Sequence, residues 1–398
     1  MILLTILQII GIVILGGFLS YLAILSLLAV GERNSLRTES AKQRKFAIVV
    51  PAYNEEQVIA GTLRGLYSLD YDDDKYEVLT IADNCTDNTA MIAKQIGAKV
   101  YERHDAQHRG KGYALRWAFN TILEGDADYD AIVVVDADST VSPNMLKVMN
   151  KYMDKGAKVV QGYLTVPVKP GSWTSEIIRI GFTLYNYVRP LGRRALGLPT
   201  GLRGNGMCFS VDVLQRVPWT AYSQTEDLEY GLSLLLNDID VVFAPEAIGY
   251  NTIPENPENA ETQRERWEIG RMPSVKRFGK RLLQEAWSRR AFKLFDAFIH
   301  LVTPPLVNMV GVTGIMIGLN FVLWSVGILS TFTFGWIWTG ILGIALFHAL
   351  VGFYAAGADP TLYQSLLYVP KYFLWKLKIY GKVLIKGASP EWVRTARE

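Results

Sequence analysis

Long runs of apolar residues lie near both ends of the chain. Residues 2–30 contain no charged side chain and exceed the roughly 20 residues that an α-helix needs to cross a bilayer. The ranges 299–329 and 332–356 are also long enough, and the prolines at 304 and 305 are expected to kink or interrupt the first of them. The pattern predicts one amino-terminal transmembrane helix (1–30) and two carboxy-terminal ones (298–357).

Between these runs, short apolar segments alternate with helical patterns. Five segments rich in valine and isoleucine have the composition of strands buried on both faces; they lie at 46–50, 77–81, 99–101, 131–135 and 158–163. Strands of this kind separated by helices predict a doubly wound α/β domain. In such folds, ligands bind beyond the carboxyl ends of the strands.

Segments of mixed character flank the predicted domain. Residues 31–45 form a basic linker, 271–297 combine lysine and arginine with large apolar side chains, and 366–385 space lysines among aromatic residues. The last two compositions are typical of amphipathic helices at a membrane surface. We therefore predict interface helices over 271–297, and an interfacial helix with a C-terminal tail over 358–398.

Charge placement predicts the orientation of the chain. A signal peptide is the alternative interpretation of the first run, but no basic region precedes that run and no small-residue cleavage site follows it. Five basic residues, at positions 33, 37, 42, 44 and 45, do follow it, so the positive-inside rule predicts a cytoplasmic catalytic domain. We expect an integral membrane protein, in a bacterial plasma membrane.

Net charge and cysteine content exclude some kinds of partner. The formal net charge is only +3 over 398 residues, and the basic residues cluster at the membrane junctions. That distribution favours anionic lipid head groups over nucleic acid. Cys85 and Cys208 show no metal-ligand spacing, so reduced thiols and no zinc site are expected.

Polar side chains follow the predicted strands at their carboxyl ends. Tyr53 and Glu55 come after the first strand, Asp83 after the second, and Asp136 and Asp138 after the fourth. Two carboxylates at alternate positions can reach one divalent cation that also bridges phosphate oxygens. Asp83 could accept hydrogen bonds from a base or ribose, although taken alone it is more typical of a turn or helix cap.

The common nucleotide-binding signatures are absent from the sequence. No GxGxxG follows the first strand and no GxxxxGK[ST] occurs, so neither a Rossmann dinucleotide site nor a P-loop is supported. The residues from Arg109 to Gly112 open a predicted helix instead. Its amides and Lys111 could meet a donor phosphate, and a solvated lysine is the alternative.

Two later motifs supply a flexible backbone and a further carboxylate pair. The range 199–206 contains three glycines in six residues, which predicts a loop that can bring backbone close to a ligand; a simple turn is the alternative. We assign its Gly204 and Asn205 to the acceptor side. Glu226 and Asp227 begin a predicted helix, where carboxylates are favoured in any case. Helix capping and catalysis are both open for this pair.

A third motif, at 262–267, combines three kinds of side chain. On a helix, Gln263, Arg266 and Trp267 fall at i, i+3 and i+4, on one face. An amide, a guanidinium and an indole there could hold a diphosphate beside an apolar wall for a sugar ring. An amphipathic helix with a core tryptophan and a solvated arginine is the alternative.

Taken together, the four motifs resemble the D, DxD, ED and QxxRW set of the membrane-bound family 2 glycosyltransferases. That family includes cellulose, hyaluronan, chitin and poly-N-acetylglucosamine synthases, and the set also occurs in ceramide glucosyltransferase. The resemblance covers about residues 46–271 plus the flanking membrane segments, and four motifs in this order are highly specific. It implies a GT-A nucleotide-diphospho-sugar transferase domain over 46–270.

The resemblance also implies roles for the motif residues. Tyr53, Glu55, Asp83 and Lys111 would surround a UDP-sugar, with Asp136 and Asp138 holding Mg²⁺ or Mn²⁺ on its diphosphate. Asp227, beside Glu226, would be the general base of an inverting reaction that needs no covalent glycosyl-enzyme. The remaining residues would close the site over diphosphate and acceptor sugar; these are Gln263, Arg266 and Trp267.

Three functions remain open on these observations. The first is a synthase that extends a β-linked polysaccharide, which is favoured by the complete QxxRW motif together with the TED motif formed by Thr225, Glu226 and Asp227. The second is an enzyme that adds one or a few sugars to a diacylglycerol, sphingoid or polyprenyl lipid, which the small number of predicted spans suits. The third is a membrane-anchored nucleotide-sugar sensor, which the full set of carboxylates disfavours. The identity of the donor sugar does not follow from these motifs, and a homo-oligomer or an export subunit is compatible with them.

Overall fold

The computed structural model describes residues 2–32, 43–125, 128–167, 172–252 and 270–386. Within these ranges the chain forms two units. The membrane unit comprises 2–32, 172–197 and 302–386, and the transferase unit comprises 43–125, 128–167, 198–252 and 270–301. Gln263, Arg266 and Trp267, with most of the basic linker, lie outside the described residues.

The described elements are numbered in chain order. The strands are β1 (Phe46–Ala52), β2 (Tyr76–Asp83), β3 (Lys99–Arg103), β4 (Ala131–Val134), β5 (Ser139–Val141), β6 (Val159–Thr165), β7 (Met207–Ser210) and β8 (Val241–Asn251). The helices of the transferase unit are α2 (Ile59–Leu66), α3 (Thr89–Ile96), α4 (Lys111–Glu124), α5 (Met145–Asp154), α8 (Val211–Arg216), α9 (Glu226–Leu236), α10 (Arg271–Ser288) and α11 (Phe292–Val302). Those of the membrane unit are α1 (Ile2–Gly31), α6 (Trp173–Phe182), α7 (Arg189–Ala195), α12 (Leu306–Ser325), α13 (Thr333–Ala356), α14 (Pro360–Gln364) and α15 (Val369–Lys386). Two 3₁₀ turns (Asp73–Lys75 and Ser365–Tyr368) and one π-helical segment (Thr183–Val188) complete the set.

The transferase unit is built on a mixed sheet with the strand order β3-β2-β1-β4-β7-β6-β8-β5. Strands β1 to β4 pair in parallel, as the sequence predicted for its first four segments. Strand β7 is antiparallel to both of its neighbours, β4 and β6. The sheet is therefore mixed and not purely parallel, because β7 and the edge pair β5–β8 were not recognised in the sequence.

Each face of the sheet is covered by helices. Along β1, alternate side chains enter two different cores: Ile48 packs with α2 and α5, and Val49 packs with α4 and the loop that carries Trp219. Both side chains are at most 1% exposed. Because burying one such side chain contributes about 1.5–3 kcal/mol, this two-sided packing fixes the strand register and thereby the positions of the loops at the strand ends.

The membrane unit contains three helices that are long and apolar enough to span a bilayer, α1, α12 and α13, among the residues described. Helix α11 ends at Val302 and α12 begins at Leu306, so the helical structure is interrupted at the two prolines, as predicted. A buried amide pair links two of the spans: Gln8 Nε2 donates to Asn320 Oδ1 at 3.1 Å, and Asn320 Nδ2 donates back to Gln8 Oε1 at 2.9 Å.

The segment from α6 to α7 packs into the same unit. A Cβ added at Gly192 in α7 would lie 2.1 Å from the carbonyl oxygen of Leu25 in α1, so the two helices are in direct backbone contact. Arg179 in α6 forms an ion pair with Asp359, which precedes α14. In the sequence, this segment lies between two parts of the transferase unit. Its apolar pattern alone did not predict that it belongs to the membrane unit.

Candidate active site

The parallel strands bring three predicted motifs to one edge of the sheet. Strands β2, β1 and β4 are neighbours and run in the same direction, so the residues after their carboxyl ends lie side by side. Asp83 ends β2, Tyr53 and Glu55 follow β1, and Asp136 and Asp138 follow β4. This is the edge at which ligands bind in α/β folds.

The Asp83 carboxylate is buried beside an arginine that the sequence analysis missed. Arg103, the last residue of β3, donates from Nη1 to Asp83 Oδ1 at 2.5 Å, and Asn84 Nδ2 donates to the same oxygen at 3.1 Å. Burial raises the pKa of Asp83, and both donors oppose that rise. A basic residue at the end of a neighbouring parallel strand was the signal available in the sequence.

The loop that carries Tyr53 and Glu55 is tied to the loop after β2. The Glu55 amide donates to Thr89 Oγ1 at 2.7 Å, and the Thr86 amide donates to Asn54 Oδ1 at 2.8 Å. Asn54 adopts a left-handed backbone with a φ of 55°. These bonds hold the loop after β1 in a fixed turn beside Asp83.

Lys111 connects the two groups of carboxylates. It is the first residue of α4, and its Nζ donates to the Asp136 carboxylate and to the carbonyl oxygen of Gly204. The same Nζ lies 3.8 Å from Glu226 Oε1. Burial lowers the pKa of Lys111, but the neighbouring carboxylates outweigh it and the net pKa is raised, so the ammonium stays charged.

Glu226 and Asp227 occupy the first turn of α9, with their pKa values raised by burial. The pKa of Glu226 rises to about 7, with the Asp227 charge adding to the effect of burial and Lys111 opposing it. The pKa of Asp227 is also raised, against the amide of Leu228 and the charge of Lys111. A buried carboxylate with a raised pKa is a stronger base than an exposed one, and such groups concentrate at functional sites.

The helix-cap interpretation of this pair is compatible with its position. Thr225 precedes α9, but its hydroxyl donates to the carbonyl oxygen of Gly270 at 3.0 Å and does not cap the helix. The two carboxylates therefore lie where the helix dipole favours them and also beside Lys111. Position alone does not separate capping from catalysis.

The glycine-rich loop approaches the same carboxylates. Gly204 has a φ of +82°, and a Cβ built on it would lie 3.4 Å from Asp227 Oδ2. Asn205 is 1% exposed, and its side chain contacts the DxD loop. The acceptor-side assignment of these two residues stays a prediction.

The DxD carboxylates fit a hard cation bound jointly with a diphosphate. Asp136 and Asp138 offer oxygen ligands of the kind Mg²⁺ and Mn²⁺ prefer. Among the described residues, no group of three or more His, Cys, Asp or Glu side chains is placed to hold a metal by itself. A cation would thus take its remaining ligands from phosphate and water, as is usual for Mg²⁺ at nucleotide sites.

Comparison with known proteins supports a common origin for this architecture. The family described as "Glycosyltransferase like family 2" matches residues 43–270. The probable glycosyltransferase YdaM of Bacillus subtilis is 26% identical over 297 residues, which are 71% of this chain and 67% of YdaM.

Two further relatives have more specific names. A β-monoglucosyldiacylglycerol synthase of Nostoc is 31% identical over 211 residues, 50% of this chain and 43% of that protein. A poly-β-1,6-N-acetyl-D-glucosamine synthase of Staphylococcus epidermidis is 24% identical over 308 residues, 74% of this chain and 69% of that protein. The matches with these two relatives and YdaM span 43% to 69% of the relatives' own lengths.

Among solved structures, the mannosyltransferase PcManGT of Pyrobaculum calidifontis in complex with GDP-Man and Mn²⁺ has a TM-score of 0.49 at 14% identity, covering 84% of this chain and 98% of that one. The mixed sheet with its covering helices is a GT-A-like α/β fold. Because the family match covers residues 43–270 of the 398-residue chain, the protein belongs to the glycosyltransferase-like family 2.

Proposed function

We propose that this protein is a metal-assisted, inverting hexosyltransferase that moves a sugar from a UDP-sugar to a growing β-linked polysaccharide at the cytoplasmic face of a membrane. The observation that carries the proposal is the cluster in which Lys111 joins the DxD carboxylate Asp136 to the Glu226–Asp227 pair. Transfer from a diphosphate to a hydroxyl requires positive charge at the leaving group and a base at the acceptor, and this cluster supplies both kinds of group.

The donor would bind along the ends of β1, β2 and β4. Tyr53, Glu55 and Asp83 would receive the nucleoside, and Lys111 would meet the diphosphate. Asp136 and Asp138 would hold Mg²⁺ or Mn²⁺, which when bound supplies positive charge to the departing diphosphate. Since Arg103 and Asn84 both contact Oδ1 of Asp83, a base or ribose would be received by Oδ2.

The acceptor would approach from the side of α9. Asp227 would take the proton of the acceptor hydroxyl as that oxygen bonds to the anomeric carbon, and the bond from that carbon to the diphosphate would break on the opposite side. The anomeric centre inverts, and UDP leaves. By the family resemblance, Arg266 and Gln263 would contact the diphosphate and Trp267 the acceptor sugar.

A polymer product is the reading we favour. The complete QxxRW and TED motifs are most familiar from processive enzymes. The match with the poly-β-1,6-N-acetyl-D-glucosamine synthase also extends over 74% of this chain. With three candidate spans in the described part of the chain, a homo-oligomer or an export subunit would complete a path for the polymer.

A glycolipid product is the second candidate. The relative named as a β-monoglucosyldiacylglycerol synthase has the higher identity, 31%, over a shorter match. The small number of candidate spans suits an acceptor that stays in the bilayer. The acceptor would then be a diacylglycerol, sphingoid or polyprenyl lipid.

Product size separates the two candidates. Membranes containing the protein are incubated with each of several radiolabelled UDP-sugars, and the products are divided between an organic extract and a gel. Label in a ladder of high mass that a β-specific glycosidase degrades supports the polymer. Label confined to the organic extract replaces the polymer with the glycolipid. Membranes that lack the protein are the blank for both products.

A further inference from the structure

We propose that Asn205 is a positioning residue for the metal-binding DxD loop and not an acceptor contact. This inference rests on the metal-assisted transfer proposed above. The Asn205 carboxamide bonds to the backbone amide of Asp136 and to the side chain of Ser139, the two ends of this loop. In this way it would hold Asp136 and Asp138 in place for a cation and a diphosphate.

All four hydrogen-bonding positions of the Asn205 side chain are used within the protein. Its Oδ1 accepts from the amide of Asp136 at 3.2 Å and from the amide of Gly206 at 2.8 Å. Its Nδ2 donates to Ser139 Oγ at 2.8 Å and to Asn251 Oδ1 at 2.7 Å. A carboxamide has two donor hydrogens and two acceptor lone pairs. With the residue 1% exposed, the side chain has no capacity left for an acceptor sugar.

Asn205 is itself held in place by a second buried amide. Gln161, on β6, is fully buried; its Nε2 donates to the Asn205 carbonyl at 2.8 Å, and its Oε1 accepts from the amide of Arg203 at 2.8 Å. Gly204 and Gly206 flank Asn205 with φ values of +82° and +62°, a backbone that residues with a Cβ adopt only under strain. The loop therefore presents the Asn205 amide in one orientation.

The far side of the DxD loop is fastened to the end of β8. Ser139 Oγ donates to Asn251 Oδ1 at 3.1 Å, and Thr252 Oγ1 donates to the Asp138 carbonyl at 2.7 Å. The backbone on both sides of the two carboxylates is thus fixed by side chains that do not themselves offer charge to a cation. Groups of this kind orient metal ligands, and their loss typically costs about 10- to 100-fold in metal affinity.

The test measures the binding of Mn²⁺ to the full chain in detergent in the presence of UDP. Electron paramagnetic resonance of the Mn²⁺ is the readout. Asn205→Ala should weaken Mn²⁺ binding by about 10- to 100-fold while the KM for the acceptor stays within about twofold. Asn150→Ala is the matched control, because Asn150 is also 1% exposed and its Oδ1 accepts from the amide and Nη1 of Arg44, on another part of the unit. It should lose stability without losing Mn²⁺ affinity.

A second variant covers the case in which Asn205→Ala does not fold. Asn251 Oδ1 accepts from Asn205 Nδ2 and from Ser139 Oγ, so Asn251→Ala removes both bonds without adding a charge. Mn²⁺ affinity should fall in this variant as well.

Three results would overturn the inference. One is wild-type Mn²⁺ affinity in the alanine variants, and another is a raised acceptor KM as the main effect of Asn205→Ala. The third is a wild-type protein whose complex with UDP binds no Mn²⁺, which would also remove the metal from the proposed function. Mn²⁺ binding by the wild type with unaltered affinity in the variants rejects this inference alone.

Discussion

Lys111 Nζ lies 3.8 Å from Glu226 Oε1 while it donates to the carboxylate of Asp136. One ammonium group therefore links the carboxylate assigned to the metal with the carboxylate pair assigned to the chemistry. Burial raises the pKa of both Glu226 and Asp227, and the charge of Lys111 opposes that rise.

Capping and general-base catalysis by Asp227 predict different results for Asp227→Asn. Asparagine caps a helix about as well as aspartate, so a capping role predicts little change. If Asp227 is the general base, asparagine cannot take the proton of the acceptor. Turnover should then fall by roughly 10²- to 10⁴-fold, with the affinity for UDP-sugar nearly unchanged. UDP release and calorimetry measure the two quantities at equal folded fraction. Near-normal turnover would return the pair to a structural role.

Glu226 should make stability depend on pH. Its pKa is raised from 4.5 to about 7, so the folded protein binds this proton more tightly than the unfolded chain does. The stabilisation is fully present below pH 4.5 and is lost as the pH rises through about 7. Glu226→Gln removes this titration, so the Tm of the variant relative to wild type should be higher at pH 8 than at pH 5. Thermal unfolding followed by tryptophan fluorescence at both values tests this, and an equal or reversed difference contradicts it.

Gly112 should not tolerate a methyl group. A Cβ there would lie 2.3 Å from the backbone oxygen of Ala221, in the loop that leads to α9. Gly112→Ala must move that loop or the start of α4, so we expect a loss of about 1–3 kcal/mol in unfolding free energy and weaker donor binding. Gly61→Ala on α2 is the control, since nothing lies within 4 Å of its Cβ position. Equal stability of the two variants would contradict the steric argument.

The membrane orientation can be tested with single cysteines on a background lacking Cys85 and Cys208. If the basic flank of α1 is cytoplasmic, Ser35→Cys and Ser389→Cys should resist an impermeant thiol reagent in intact cells. Ser330→Cys, between the candidate spans α12 and α13, should react. The opposite labelling pattern would invert the orientation.

The DxD carboxylates should set the metal requirement of the enzyme. Asp138→Asn replaces a charged oxygen ligand with a neutral amide, which is a poorer ligand for a hard cation. We expect weaker use of the donor, partly recovered at high Mn²⁺, and loss of activity in excess chelator. Full activity of the wild type in chelator would exclude the metal.

The sequence by itself determined the features that depend on neighbouring residues. Run length predicted the helices α1, α12 and α13 and the break before Leu306, because crossing a bilayer is a property of one continuous segment. Short β-branched runs predicted β1 to β4 and β6, and so placed Asp83 and Asp136 at strand ends. The order of the four motifs identified the family, because each motif is a short run of residues that can be recognised without knowledge of the fold.

Only the tertiary structure decided how distant residues combine. The antiparallel position of β7 and the packing of α7 on α1 each join segments that carry no local sign of one another. The same holds for Asn205, whose sequence context allowed an acceptor role and whose observed partners are Asp136, Ser139 and Asn251. A side chain's hydrogen bonds depend on which groups surround it after folding, and the sheet register fixes that for residues far apart in the chain.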